Sequence, residues 1–149
     1  MSWFQPIPST SLRLLNDWAD PNGSIIDVGA GVSTLVDSHL IGGWQDVTVL
    51  DISGAALAKV RHRLGAGPHS VGYVAIASQA INPDGILLLA TFGADGPTQC
   101  LGLPANRYNP EELAILFDDE FTLEYSQIED HTTPSGAKQS FAWVVLRHK

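Results

Sequence analysis

The feature that most constrains this chain is a short apolar segment running straight into glycines, Ser24-Ile25-Ile26-Asp27-Val28-Gly29-Ala30-Gly31. It reads as a buried strand that ends in a Gly-x-Gly loop. Residues 33–41 then have the pattern of a helix, stopped by Gly42-Gly43. DVTVLDIS (46–53) follows as a second strand, β-branched and almost wholly apolar, as expected of a strand buried on both faces. Glycines after a strand let backbone approach a ligand closely, and the helix start presents unpaired N–H groups. Asp51 stands at the end of the second strand, 24 residues (51 − 27) after Asp27. An acid placed there, across the crevice from a glycine loop, suits the two ribose hydroxyls of a nucleotide-like ligand, because a carboxylate offers two acceptor oxygens. The competing reading makes Asp27 a cap or turn residue and Asp51 a strand-end acid.

The rest of the chain continues the alternation of strand and helix. Ahead of the glycine segment, Ser9–Ala19 places Leu12, Leu15 and Trp18 three apart, with Leu14 widening the face and Ser9, Thr10 or Ser11 available as caps. Asp20-Pro21-Asn22-Gly23 ends that helix. After the second strand, GAALAKVRHRL reads as a helix closed by Gly65-Ala66-Gly67-Pro68, and helix signals resume over Ser70–Ile81. A turn at Asn82-Pro83-Asp84-Gly85 leads into GILLLATF, the strongest buried-strand run. A long polar loop precedes a helix opened by Pro110, PEELAILFDD. FTLEYSQIED and QSFAWVVLRH close the chain as two strands. The pattern is that of an α/β fold, its sheet parallel at first and ending in an antiparallel pair.

Length and composition set the bounds. The 149 residues suit one domain, expected to divide into an arm and helix (1–22), a ligand-binding half (23–64) and a C-terminal half (70–149). Charged residues are 16% and apolar residues 44%, which opposes disorder. Sixteen acids against eight bases, net −8, disfavour nucleic acid as a partner. A lone Cys100 forms no internal disulfide, which fits the cytoplasm. No signal peptide or membrane span is visible.

IIDVGAGVSTLVDSHL followed by DVTVLDIS resembles the first two motifs of the class I S-adenosylmethionine-dependent methyltransferases. The loop reads Asp-Val-Gly-Ala-Gly and lacks the third glycine of the dinucleotide fingerprint. NPDGILLLATF is similar to the family's Pro-x-Gly turn and fifth strand, and the tail to its closing helix and strand pair. SWFQP also recurs in a bacterial subgroup, near the active-site entrance. The resemblance implies a Rossmann-like sheet and S-adenosylmethionine as cofactor. Asp27, Gly29, Ala30 and Gly31 would line its methionine part, with Asp51 on the ribose and Ile52 against the adenine. A small-molecule methyl acceptor is implied as substrate; a catalytically inactive remnant serving as a binding or assembly module is the alternative.

Against that family the chain is short at one join. Between Leu64 and Ser70 a typical relative inserts a third strand, a helix, a fourth strand and part of another helix. The expectation is a reduced sheet of about five strands in the order 2-1-5-7-6, with a homodimer covering the apolar surface left by the lost helices. Other residues carry less. His131 is placed in the connection between the last two strands, as a general base or as a solvated imidazole. Trp3 and Phe4 either close over a substrate or pack the arm. Cys100 has no basic neighbour nearer than Arg107 to stabilise a thiolate. The five histidines have no metal-ligand spacing, so no metal is expected, and Arg61-His62-Arg63 forms a local basic knot.

Overall fold

The computed structural model describes residues 5–29, 34–50, 77–100, 103–133 and 135–149. Its contacts divide the chain into two compact units, one extending to Ile76 and the other spanning Ala77–Lys149. The join at Leu64–Ser70, the helix expected over 54–64 and most of that expected over 70–81 lie outside the described residues.

In the first unit, α1 (Ser9–Trp18) buries Leu14 and Leu15. Its expected hydroxyl caps are not used. Pro8 is the N-cap, and its carbonyl accepts the first helical bond from Leu12 N–H at 3.0 Å. The Asp20 carboxylate then folds the next turn by accepting from Asn22 N–H at 2.9 Å, which holds its pKa below the ordinary 3.8. β1 (Ser24–Val28) and β2 (Asp46–Leu50) pair in parallel, from Ser24 opposite Asp46 to Val28 opposite Leu50. The Ser24 hydroxyl donates to Asp46 Oδ2 at 2.6 Å, closing the start of the ladder. Between them, α2 (Leu35–Ile41) packs Val36 onto Val49 of β2. Gly43, at φ +95°, takes the left-handed conformation that ends α2. β1 departs from the expected buried strand: its burial alternates, and Ile26 and Val28 are exposed.

In the second unit, α3 (Ala77–Ala80) leads through the Asn82–Gly85 turn into β3 (Ile86–Phe92). Asp84 sits at φ 64° in that turn, and Gly85 N–H donates to Asn82 carbonyl at 2.8 Å. A short antiparallel pair, β4 (Gln99–Cys100) and β5 (Leu103–Pro104), stands in what reads as loop. After α4 (Pro110–Ile115) come β6 (Phe121–Thr132) and β7 (Lys138–His148), in a sheet of order β3-β7-β6 with antiparallel neighbours. The pairings described are β1 with β2 in the first unit and β3-β7-β6 in the second; the single five-stranded order expected from the sequence is not among them.

One face of β7 makes the core of this unit, where Val144 and Leu146 meet Leu113 of α4 and Phe121 of β6. Burying each such side chain contributes roughly 1.5–3 kcal/mol relative to exposure. α4 ends earlier than PEELAILFDD suggests. From Phe117 onward the backbone tightens into bonds three residues back, Phe117 N–H to Ala114 carbonyl and Glu120 N–H to Phe117 carbonyl. Asp118, Asp119 and Glu120 would put three negative charges at the negative end of a longer helix, which opposes its extension. Among the described residues no helix is long and apolar enough to cross a membrane.

Candidate functional site

Open parallel sheets bind ligands outside the carboxyl ends of their strands. In the first unit that end is formed by Val28 of β1 and Leu50 of β2, which are register partners. Gly29 follows Val28 at φ +72°, where an L side chain is strained. Among the described residues nothing beyond its chain neighbours lies within 4 Å of where a Cβ would sit. Gly29 thus turns the chain sharply, and no described residue crowds its backbone. Asp27 lies two residues back on β1, half-buried opposite Val49. Asp51 is next in the chain after Leu50, but with Ile52, Ala30, Gly31, Trp3 and Phe4 it lies outside the described residues.

A contact unseen in the sequence lies on the far side of the loop. Thr34, the N-cap of α2, makes no side-chain bond to its own helix. Its hydroxyl instead faces the carbonyls of Gln5 and Pro6, each at 3.2 Å. A threonine before a helix reads as a cap, so periodicity alone gives no hint of this use. Behind it, His39 is 2% exposed and stands edge-on to Trp44. Burial holds its pKa below the ordinary 6.5, so the imidazole is neutral near pH 7.

In the second unit, the carboxyl end of β3 is Phe92, opposite Phe141 on β7, with the two rings 5.3 Å apart. Phe141 is in turn opposite Glu129 on β6. His131 belongs to this end, and its expected place in a connection is corrected: it lies within β6, opposite Gln139 and edge-on to Phe141 at 6.3 Å. The strand pair extends past the point where sequence polarity rises, because the ladder continues to Thr132 opposite Lys138. The segment after β3 is pinned back on this end. Tyr108 N–H donates to Phe92 carbonyl at 3.0 Å and Arg107 Nη1 to Ala94 carbonyl at 2.8 Å. Gly96 approaches Ser140 so closely that a Cβ would lie 2.8 Å from its carbonyl oxygen. Cys100 stands in β4 rather than in open loop. Among the described residues no group of three His, Cys, Asp or Glu side chains could hold a metal ion.

Solved structures decide what this arrangement is. An S-adenosylmethionine-dependent methyltransferase from Methanosarcina mazei is similar over 91% of this chain and 96% of its own, with TM-score 0.69 and 14% identity. One from Anabaena variabilis matches over 95% and 83%, with TM-score 0.70 and 16% identity. The fold is that of the class I S-adenosylmethionine-dependent methyltransferases. A glycopeptide N-methyltransferase complexed with S-adenosylmethionine shares the methyltransferase fold at TM-score 0.63 and 14% identity, over 95% of this chain and 86% of that one. No protein-family model and no curated protein matches the sequence. The strand ends that carry Gly29 and precede Asp51 are therefore part of a methyltransferase-like sheet.

Proposed function

We propose that this protein binds S-adenosylmethionine at the carboxyl ends of β1 and β2 and passes its methyl group to a small molecule. The observation that carries the reading is the parallel pair ending in a left-handed Gly29, two residues beyond the half-buried Asp27, with no described residue other than its chain neighbours within 4 Å of where a Cβ would sit. These residues fit the group. Backbone at Gly29, Ala30 and Gly31 would approach its methionine part, Asp27 would face the same end, and Asp51 and Ile52 would take the ribose and adenine. When bound, the sulfonium supplies an already activated methyl group. The chain's own work is then to hold the acceptor in line and to exclude water. No general base has to be assigned for an acceptor that is already a nucleophile.

A second reading supposes a shortened segment before β3. Between Leu50, which ends β2, and Ile86, which begins β3, the chain has 35 residues (85 − 50). If two family strands are lost there, the adenine side and the floor beneath the methyl group lose their usual supports. A binding or assembly module would then remain. The exposure of Ile26 and Val28 on β1 supports a homodimer in which a second copy covers apolar surface. The acidic balance and absence of a membrane-spanning pattern fit a cytoplasmic protein. A labelled methyl donor tested against small thiols, amines and carboxylates separates the readings. Transfer to one class establishes the enzyme, saturable binding without transfer establishes the module, and absence of both binding and transfer removes the cofactor assignment.

A further inference from the structure

The geometry points to Thr34 as a positioning residue that ties Gln5 and Pro6 of the amino-terminal arm to the start of α2, just after the glycine loop in sequence, before a ligand arrives. Thr34 is the first described residue after the loop and the N-cap of α2. Threonine at such a position ordinarily accepts a hydrogen bond from the second or third N–H of its helix, and Thr34 makes none. Its single hydroxyl proton is directed at two carbonyls from a segment 28 and 29 residues away, Pro6 and Gln5, at 3.2 Å each. That spacing is longer than a single strong O–H···O bond and describes one proton shared between two acceptors. Meanwhile the Thr34 carbonyl starts the helix, accepting from Ser38 N–H and from the Ser38 hydroxyl, each at 3.2 Å. One residue thus joins three things: the loop by chain connectivity, α2 through its carbonyl, and the arm through its hydroxyl.

The consequence is preorganisation. A ligand that needs the loop in one conformation gains from having the loop's exit already anchored, because less chain must be ordered on binding. The ligand part of this inference rests on the S-adenosylmethionine reading; the tether does not. The test titrates S-adenosylhomocysteine by calorimetry into the full chain carrying wild-type Thr34, Thr34→Ser or Thr34→Val. Hydrogen exchange of the peptide containing Gln5 and Pro6 is followed in parallel, without ligand. Valine keeps the shape and removes the proton, while serine keeps the proton. The expected result is binding weakened about two- to tenfold by valine and restored by serine, as loss of one hydrogen bond implies, with faster exchange in the valine protein. Wild-type affinity and exchange in the valine protein would overturn the inference, as would a serine protein as weak as the valine one. If wild type binds no S-adenosylhomocysteine, the cofactor reading fails. The exchange comparison still decides the tether: faster exchange with valine supports it, and equal exchange overturns it.

Discussion

Substitutions at Gly29 separate the two properties that the structure combines there. The backbone stands at φ +72°, and a Cβ would meet nothing within 4 Å among the described residues. No collision with a described residue adds to the cost, which leaves the left-handed backbone as the penalty of Gly29→Ala, about 1–2 kcal/mol. For a chain of this size that lowers the melting temperature by roughly 2–8 °C. Asparagine tolerates the left-handed region far better than alanine, so Gly29→Asn should recover most of the lost stability. Affinity should behave differently. If the methionine part of the cofactor lies beside Gly29, both side chains intrude on it, and asparagine more than alanine. Thermal unfolding and calorimetry with S-adenosylhomocysteine on the two variants read both quantities. The asparagine protein should be the more stable of the two and the weaker binder. An alanine protein that melts like wild type would refute the backbone argument. An asparagine protein with wild-type affinity would refute the cradle.

Two further outcomes follow from burial. His39 is enclosed and held neutral, with its folded pKa below 6.5. The unfolded chain takes up a proton near pH 6.5, whereas the folded one does so only at lower pH. Its contribution is therefore fully present above about pH 6.5 and is lost as pH falls toward the folded value, with a slope of at most about 1.4 kcal/mol per pH unit. Urea unfolding across this range should show the decline in wild type and a flatter profile in His39→Leu; equal slopes in the two proteins would contradict the assignment. The homodimer is tested by size-exclusion chromatography with light scattering, which should return twice the 16.0 kDa chain mass, whereas a monomer would sink it.

The strands were legible because their signals are local. SIIDV, the apolar run after Gly85 and the two closing strands stand out by β-branched and aromatic content, and the ladders place them within a residue or two of the expected ends. What was less legible depends on partners distant in sequence. His131 looks like a loop residue beside Glu129 and Asp130, yet pairing with Gln139 extends the strand through it. Thr34 falls inside the helical pattern of 33–41, yet it precedes the helix and its hydroxyl is engaged by the arm. Pro8 rather than a hydroxyl residue begins α1, because an unused carbonyl suffices to start the ladder. Of the candidate site, the structure describes Asp27 in β1 and Gly29 after it, at the carboxyl end of a parallel pair. Gly29 stood out because a left-handed turn at a strand end admits few residues besides glycine.

We propose that the carboxyl ends of β1 and β2 bind S-adenosylmethionine through the glycine loop and Asp51. Calorimetric titration of S-adenosylhomocysteine into the wild type and Asp51→Ala tests it most directly. Saturable binding at one site per chain is expected in the wild type, and its loss in a variant that keeps the wild-type melting temperature. No heat and no thermal shift in the wild type, or equal affinity in the two proteins, would contradict it.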